Sequence, residues 1–319
     1  MKRIFITTGD PDGVGLEVTA KALNKLGPQK GIQFVVFRSS HHADPWLKLI
    51  KKKFKCVTSD QFLDSHFSSQ SYTELLDINS PALAPHWVTE STRWCLKNSN
   101  CALVTGPLSK PLFVDAGYKV MGHTGLLKKL SGVEDIHMAF YGKYFNVLLA
   151  TDHIPLKKVS QKITAELLDK TLSLANEFRQ LLPRAISKRP MALLGLNPHA
   201  GDSGLIGCEE EKLLQPFVKN RQKKFQPLVG PLVPDAAFAP AHWKQYSLYI
   251  CLYHDQGLIP FKTVHGQNSG IQISMGLPFT RVSVDHGTAK DIFNKNKANP
   301  NSMLEAVEFA IKSLQRKIK

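Results

Sequence analysis

Several features that would place this chain in a familiar class are missing from its sequence. Its five cysteines include no CxxC pair, and an odd number is poorly suited to a set of disulfides. No apolar run approaches the roughly 18 residues that span a membrane. The apolar stretch after the basic N-terminus, residues 4–6, is too short for a signal peptide. We therefore expect a cytoplasmic protein, because thiols stay reduced in that compartment.

Common nucleotide and nucleic-acid signatures are missing as well. The glycine-rich segment 8–15 matches neither GxGxxG nor the P-loop, and no RNP signature or zinc-finger spacing is found. Lys and Arg nevertheless number 41 against 26 Asp and Glu, giving a net charge of +15. Such a charge attracts anions: phosphorylated metabolites, nucleotides, nucleic acid or an acidic membrane. The basic residues form short scattered runs, which are typical of solvated helix faces.

The 319 residues have an ordinary globular composition, 43% hydrophobic and 21% charged, and enough length for about two domains. Short apolar runs that end in Gly, Pro, Asp or Asn predict buried strands. These runs are 3–7, 33–37, 102–105, 145–150, 192–196 and 248–252. Continuous apolar runs favour parallel strands covered on both faces, and their alternation with amphipathic stretches predicts an α/β fold.

Three helices are indicated by periodicity and end signals. Residues 165–182 carry an apolar stripe that ends before Pro183, and residues 209–219 form a second candidate that Pro216 interrupts. Near the C-terminus, Ser302 and Glu305 have the spacing of a capping box. That spacing predicts a helix beginning after Ser302.

Loops that follow the predicted strands are rich in Gly, Pro, His and Asp, and ligands of parallel α/β sheets bind at the strand ends. The segment 8–15 has glycines that permit close approach of the backbone to an anion, although a plain turn explains it equally well. Segments 105–110 and 122–124 follow the same pattern. Taken alone, the Gly-His-Thr of 122–124 is typical of a surface turn.

Three histidines occupy matching positions just beyond predicted strands: His153, His199 and His254. They lie too far apart in sequence for a local motif such as HExxH. If the three strands share a sheet, the imidazoles meet at one edge. Three neutral imidazoles suit Zn²⁺ or a similar divalent ion with positions left for substrate oxygens. A lone histidine is usually structural, but the repeated position favours a metal site.

Positive side chains near the C-terminal third are candidates for binding an anion. Arg281 can hold a phosphate or carboxylate with two hydrogen bonds, and Lys262 carries the same charge. For both residues the alternative is a surface ion pair. The His286-Gly287 pair permits a backbone to lie against a nucleotide.

Eight motifs, read together, resemble those of the 4-hydroxythreonine-4-phosphate dehydrogenase family of pyridoxal 5′-phosphate biosynthesis. They run in family order from residue 7 to residue 292. The motifs are TTGDPDGVGLEV, VTGPLSKP, GHT, TDHIPL, LGLNPHAGDSG, GPLVPDAAF, YHDQGLIPFK and GLPFTRVSVDHGTAKDI. The segment HGTAKDI with the later ANP also resembles the adenine-binding loop of the isocitrate/isopropylmalate dehydrogenase superfamily. That superfamily lacks GxGxxG.

The resemblance implies two α/β/α lobes with the active site in the cleft between them. The terminal lobe would comprise residues 1–125 and 280–319 and bind the dinucleotide. The central lobe, 126–279, would carry the metal ligands and the dimer interface. The protein would be a homodimer, because the resemblance implies that His254 comes from the neighbouring subunit.

The resemblance also implies roles for individual residues. The divalent metal, Zn²⁺, Mg²⁺ or Co²⁺, would be held by His153, His199 and His254. Substrate would be bound by His123, Thr124, Lys262, Gln272 and Arg281. The cofactor, NAD or NADP, would be bound by Gly287, Thr288, Asp291 and Asn299. The family oxidises a secondary alcohol, and the β-keto acid then loses CO₂ to give 3-amino-2-oxopropyl phosphate.

Physical chemistry adds candidates for proton transfer. A divalent ion polarises an alcohol and stabilises the charge that develops on its oxygen. Lys262 can act as acid or base if Arg281 and the metal lower its pKa. Asp255 and Asp235 are further candidates for proton handling or for orienting a ligand imidazole. The sequence leaves the choice among these three catalytic candidates open.

Several positions depart from the family pattern. Gln272 stands where the family usually has Asn, Gly125 stands where Glu is common, and the His153 motif reads TDH rather than TTH. The superfamily's AGKG between the two cofactor motifs is replaced by residues 293–297, FNKNK, which lack glycine. Lys295 and Lys297 favour a 2′-phosphate by charge alone.

The leading hypothesis is a metal-dependent, NAD(P)-linked oxidative decarboxylase of 4-phosphohydroxy-L-threonine. A second hypothesis keeps the chemistry but takes threonate or erythronate 4-phosphate as substrate. A third, from another class, is a basic protein that binds nucleic acid on an old enzyme fold. Retention of His153, His199 and His254 argues against that third hypothesis, and we expect neither nucleic acid nor a membrane as partner.

Overall fold

The structure is a computed structural model that describes residues 1–40, 45–60, 71–120, 122–266 and 269–316. The chain divides into two compact units. Among the described residues the first unit comprises Met1–Ile136 and 269–316, and the second comprises His137–Gly266. The boundaries between the lobes expected from the sequence lie at residues 125/126 and 279/280. Parts of the expected lobes, such as residues 317–319, lie outside the described residues. The functional roles assigned to the lobes stay predictions.

Strands and helices alternate along most of the chain. The strands are β1 (Lys2–Thr7), β2 (Ile32–Ser39), β3 (Lys55–Ser59), β4 (Glu74–Ser80), β5 (Cys101–Thr105), β6 (His137–Tyr141), β7 (Val147–Leu149), β8 (Met191–Leu194), β9 (Leu228–Leu232), β10 (Leu248–Cys251), β11 (Ile271–Met275) and β12 (Thr280–Val284). The α-helices are α1 (Gly15–Leu26), α2 (Pro45–Lys51), α3 (Ala84–Lys97), α4 (Lys110–Asp115), α5 (His123–Ser131), α6 (Val159–Lys162), α7 (Ala165–Leu181), α8 (Arg184–Ser187), α9 (Gln215–Arg221), α10 (Pro234–Ala237), α11 (His254–His265) and α12 (Asn301–Gln315). In the described part of the chain, none of these helices combines the length and the apolar character that crossing a bilayer requires.

The sheet of the first unit runs in the order β3-β4-β2-β1-β5-β12-β11. All neighbouring pairs are parallel except β11 and β12, which are antiparallel. Helices α3, α4 and α5 bury one face of the sheet, including Phe5 and Leu103. Since side chains alternate along a strand, Ile4 and Ile6 belong to the opposite face. Helices α1 and α12 contact each other, and α12 contacts β1, β5 and β12.

The sheet of the second unit runs in the order β6-β7-β10-β8-β9. Only β6 and β7 are antiparallel among its neighbouring pairs. Helix α11 packs on β7 and β10 at close range, because Gly257 leaves room for the strands: a Cβ at this position would lie 2.6 Å from Val147 Cγ1. Helix α7 contacts β6, β8 and β10. Each unit is therefore an α/β body, as the sequence predicts.

All six predicted strands are confirmed, as β1, β2, β5, β7, β8 and β10. Sequence patterns missed strands that carry polar or exposed residues. In β4, for example, Asp77 is buried and binds Arg38 of β2 at 2.7 and 2.9 Å. Strands β11 (IQISM) and β12 (TRVSV) contain the side chains of the candidate site. A strand pattern that depends on apolar runs cannot detect such segments.

The predicted helices are confirmed with corrections at their ends. Helix α7 matches residues 165–182, whereas 209–219 begins as a π-helix, Glu210–Leu214, and continues as α9 with Pro216 in its first turn. The predicted capping box is wrong. Ser302 lies inside α12, and its hydroxyl donates to the Gly270 carbonyl, while Glu305 accepts a hydrogen bond from the Gly270 amide. These polar side chains connect α12 to neighbouring strands rather than capping it.

Gly15, the first residue of α1, lies so close to the end of β1 that a side chain cannot be accommodated. An added Cβ would lie 1.6 Å from the Thr8 carbonyl oxygen. We expect Gly15→Ala to lower the free energy of unfolding by about 2 kcal/mol or more, because backbone must shift to relieve the overlap. Gly125→Ala is the matched control, since its Cβ would meet only Val120, at 3.3 Å. Denaturant unfolding measures both, and equal stabilities of the two variants would contradict the packing argument.

Candidate active site

The three candidate metal ligands follow strands that are neighbours in the second unit. His153 follows β7, His199 follows β8, and His254 begins α11 directly after β10. Strand β10 pairs in parallel with both β7 and β8. The three loops therefore leave the same edge of this sheet, where ligands of parallel sheets bind.

Side-chain hydrogen bonds connect these strand ends. The Thr151 hydroxyl donates to the Leu252 carbonyl at 2.7 Å and links the ends of β7 and β10. The buried Gln256 amide accepts from the Leu252 N–H and donates to the Gly195 carbonyl, both at 2.7 Å. It thus links the ends of β10 and β8. The structure therefore cross-links all three histidine-bearing loops.

His153 and His254 lie side by side, with ring centres 4.9 Å apart. The His254 Nδ1 is 2.7 Å from an Asp255 carboxylate oxygen. That contact orients the ring and engages Nδ1, so Nε2 is the nitrogen that could bind a metal. The chemistry of this pair fits a divalent metal.

His199 lies in the short 3₁₀ turn Pro198–Gly201, in the left-handed region at φ 52°. Among the described residues of one chain, no three His, Cys, Asp or Glu side chains lie close enough together to hold a metal. The structure therefore brings His153 and His254 together and does not complete a triad with His199 inside one chain. The three-histidine assignment stays a prediction.

The candidates for proton transfer lie on short or exposed elements of the second unit. Asp255 and Lys262 are both exposed on α11, seven residues apart, so they share a face of that helix. Asp235 is exposed in α10, and α10 contacts the turn that carries His199. Their roles stay predictions.

Arg281 is the centre of a polar cluster in the first unit. Its side chain is 2% exposed and binds three neutral oxygens: Gln272 Oε1 at 2.7 Å, Ser274 Oγ at 3.0 Å and Thr105 Oγ1 at 2.6 Å. Its Nε is buried and has no hydrogen-bond partner among the described residues. Burial lowers the pKa of Arg281 to about 9. A buried cation with a free donor and only neutral partners fits an anionic ligand.

His123 belongs to the same cluster. Burial, followed by the positive charge of Arg281, lowers the pKa of His123 well below its usual value. Its ring packs edge-on against Phe113 at 5.8 Å. Its Nε2 is buried and finds no hydrogen-bond partner in the part of the chain that the structure describes. Thr124 is the next residue of α5. The structure thus brings together His123, Gln272 and Arg281 of the predicted substrate-binding set, whereas Lys262 belongs to the second unit.

The predicted cofactor loop packs against the glycine-rich segment 8–15. The Val14 N–H donates to the Thr288 carbonyl at 3.0 Å, and Lys290 pairs with Asp12 at 2.8 Å. The hydrogen bond with Asp12 raises the pKa of Lys290. Gly287 and Asp291 are exposed, and Asn299 accepts a hydrogen bond from the Asn301 N–H at the start of α12.

Two asparagines take the place of the missing glycines in this loop. Asn294 and Asn296 have φ values of 57° and 56°, in the left-handed region that glycine favours. Asparagine tolerates this region better than other side chains because its amide bonds locally to the backbone. The Asn296 and Ala298 carbonyls accept hydrogen bonds from Lys21 of α1, at 3.2 and 3.0 Å. The glycine-free sequence therefore keeps a tightly turned loop.

Sequence reasoning missed the residues that hold the candidate ligands in place. Ser274 lies two residues after Gln272 on β11, so both face Arg281, a relation that strand alternation would have indicated. Gln256 stands inside the motif YHDQG, but nothing in the spacing reveals its two hydrogen bonds. Glu210, fully buried beside the His199 turn, gave no signal except the unusual run Glu209-Glu210-Glu211.

Comparison with known proteins identifies the family. The family described as pyridoxal phosphate biosynthetic protein PdxA matches residues 33–310. The chain belongs to this family. The predicted resemblance is thus confirmed, and the protein is an oxidoreductase.

Individual relatives and solved structures are similar to this protein over nearly its whole chain. The 4-hydroxythreonine-4-phosphate dehydrogenase of Sulfurihydrogenibium sp. is 37% identical, with 98% of each chain covered. The D-threonate 4-phosphate dehydrogenase of Salmonella typhimurium is 32% identical, covering 97% of this chain and 98% of the relative. The crystal structure of 4-hydroxythreonine-4-phosphate dehydrogenase from Klebsiella pneumoniae has a TM-score of 0.78 at 29% identity, covering 99% and 98%.

A more distant likeness concerns the fold alone. A β-decarboxylating dehydrogenase from Thermococcus kodakarensis is 14% identical with a TM-score of 0.59, covering 98% of this chain and 84% of that one. The predicted fold class, similar to that of isocitrate and isopropylmalate dehydrogenases, is confirmed.

The lowered pKa of His123 makes stability depend on pH. Below about pH 6.5 the unfolded chain binds this proton and the folded chain does not, so the free energy of unfolding falls as the pH falls. Between pH 7 and pH 5 the free energy of unfolding should therefore fall less in His123→Asn than in wild type, by up to about 2 kcal/mol. His86→Asn, at an exposed position, should leave the pH dependence unchanged. Denaturant unfolding at both pH values tests this, and parallel curves for wild type and His123→Asn would contradict it.

Proposed function

We propose that the protein oxidises the secondary alcohol of 4-phosphohydroxy-L-threonine with NAD or NADP in a reaction that depends on a divalent metal. The β-keto acid then loses CO₂ and gives 3-amino-2-oxopropyl phosphate, a step toward pyridoxal 5′-phosphate. The observation that supports the proposal is the buried Arg281 beside His123, each with a nitrogen that has no hydrogen-bond partner within the described ranges of the chain. In a dehydrogenase family whose named substrates are phosphorylated acids, these groups suit an anionic substrate.

The metal-binding set is His153 and His199 of one subunit with His254 of its partner in a homodimer. Imidazole donors suit Zn²⁺, Co²⁺ or a similar ion, and Asp255 orients His254 through their 2.7 Å contact. When bound, a divalent ion polarises the substrate hydroxyl and stabilises negative charge on its oxygen.

Substrate binding is assigned to the polar cluster of the first unit and to Lys262. Arg281 and His123 bind the anionic groups of the substrate, with Thr124 beside them at the start of α5. Gln272 acts by holding the Arg281 guanidinium at 2.7 Å. Lys262 receives the hydroxyl proton, and Asp235, in a helix that contacts the His199 turn, is the second candidate for proton transfer.

Cofactor binding is assigned to the loop that contains Gly287, Thr288, Asp291 and Asn299. Its contact with segment 8–15 and the turns at Asn294 and Asn296 support a preformed binding loop. Lys295 and Lys297 are exposed in the same loop and favour the 2′-phosphate of NADP by charge. We place the enzyme in the cytoplasm, where this cofactor chemistry and reduced cysteines are both expected.

A second candidate substrate is D-threonate 4-phosphate, which lacks the amino group. The observation in its favour is Gln272. Its longer side chain replaces the usual Asn and bonds to Arg281, which changes a contact expected to bind the substrate's amine or carboxylate. The chemistry would otherwise be the same.

Turnover with the two substrates decides between these functions. We expect kcat/KM for 4-phosphohydroxy-L-threonine to exceed that for D-threonate 4-phosphate by about 10-fold or more, since a lost charged contact costs at least 1.4 kcal/mol. Formation of reduced nicotinamide with NAD and with NADP is the measurement. A preference for the substrate without an amine would establish the second function, and turnover of neither would refute both.

The metal assignment predicts that removing the His199 imidazole greatly lowers both activity and metal affinity. His199→Ala should abolish most activity and lower the affinity for Co²⁺ by at least about 10-fold, because one of three ligands is removed. His86→Ala, an exposed histidine of the first unit, is the matched control and should behave as wild type. Activity and Co²⁺ binding are measured after chelation and metal repletion. An unchanged His199→Ala variant would refute the ligand assignment.

A further inference from the structure

The turn that carries His199 has an unusual backbone. Six consecutive residues, 199–204, have positive φ, and four of them are not glycine: His199, Ala200, Asp202 and Ser203, with φ from 44° to 54°. Left-handed conformations cost roughly 1–2 kcal/mol per residue that has a Cβ. The turn must therefore be held by contacts from its surroundings.

Glu210 provides those contacts. It is the first residue of the π-helix Glu210–Leu214, it is 0% exposed, and this helix contacts the His199 turn. Its Oε1 accepts hydrogen bonds from the Leu196 and Asn197 backbone N–H groups at 2.7 and 2.8 Å. Its Oε2 accepts from the Asn197 side-chain amide at 2.8 Å. These donors belong to Leu196 and Asn197, in the segment between the end of β8 and the turn.

The glycines of the turn fit around the same carboxylate. A Cβ at Gly201 would lie 2.8 Å from Glu210 Oε2, and one at Gly195 would lie 3.2 Å from Oε1. Residues 195–201 therefore enclose Glu210 from both sides of His199. Charge-assisted hydrogen bonds of this kind are stronger than neutral ones, so they can offset the strain of the left-handed run.

We propose that Glu210 is a positioning residue that holds the His199 turn in its left-handed conformation, so that the imidazole is preset for the divalent metal. This inference rests on the proposed metal site and adds a residue that touches neither metal nor substrate. A π-helix at the base of the turn is consistent with it, since such segments occur frequently at functional sites. The alternative is that Glu210 merely stabilises the fold.

The decisive variant is Glu210→Gln, which keeps the size of the side chain but turns one acceptor into a donor. The probe is Co²⁺ added to the metal-free full-length protein, followed by its visible absorption. Loss of a group that orients a ligand typically lowers metal affinity about 10- to 100-fold, and we expect a loss in this range. The spectrum at saturating Co²⁺ should also change, because His199 no longer reaches the ion in the same geometry.

Glu209→Gln is the matched control. Glu209 is the neighbouring residue, is only partly buried and accepts a hydrogen bond from the Asn197 side-chain amide at 2.8 Å. We expect a change in Co²⁺ affinity of less than about threefold, which corresponds to less than 1 kcal/mol. An equal loss in both variants would overturn the assignment to Glu210.

A double-mutant cycle separates positioning from general stability. If Glu210 acts through His199, Glu210→Gln should cause no further loss of Co²⁺ affinity in a His199→Ala background. The same loss in both backgrounds, or an unchanged affinity of the single variant, overturns the inference while leaving the metal site intact. If wild type itself binds no Co²⁺, the proposed metal function fails and this inference fails with it.

Asn197→Ala is a second variant that tests the same inference if Glu210→Gln does not fold. It removes one of the three hydrogen bonds to Glu210 and leaves both backbone donors. A smaller loss of Co²⁺ affinity in the same direction, absent in the His199→Ala background, supports the inference. An affinity equal to that of wild type contradicts it.

Discussion

Parallel pairing of neighbouring strands is the constraint on which the candidate site depends. Because β7, β10 and β8 run in the same direction, the loops that carry His153, His254 and His199 leave one edge of their sheet. In the first unit, β5 and β12 are parallel neighbours, and their side chains Thr105 and Arg281 come within 2.6 Å. Residues far apart in sequence become neighbours through strand order alone.

Two buried arginines, Arg38 and Arg281, differ in the charge of their hydrogen-bond partners. Arg38 and Asp77 are both buried, and two hydrogen bonds satisfy the guanidinium with a carboxylate on the adjacent strand. Arg281 is equally buried, but the described residues offer it only neutral oxygens and leave its Nε without a hydrogen-bond partner. A buried cation without a counter-charge costs free energy unless a ligand supplies the charge. Glu210 is the reverse case, a buried anion enclosed by the donors of its own chain.

Local sequence patterns predicted secondary structure correctly where the conformation of a segment depends on the composition of that segment alone. The apolar runs that became β1, β2 and β5 need only to be buried, so composition predicts them. The Ser302 and Glu305 pair shows the limit of such signals, because the same side chains bond to Gly270 instead of capping α12. The absence of glycine from residues 293–297 was also a poor guide to the backbone there. Asn294 and Asn296 adopt the left-handed conformation that glycine favours.

Apolar runs and motifs that are contiguous in the chain were sufficient to predict the α/β class, the family and the candidate residues. Three contacts could be seen only in the folded chain: His153 lies against His254, Gln272, Ser274 and Thr105 surround Arg281, and Glu210 accepts hydrogen bonds from the segment before the His199 turn. Each of these contacts joins segments from different strands or loops. Their distances depend on strand order and on the packing of helices against the sheet, which no local pattern of residues contains.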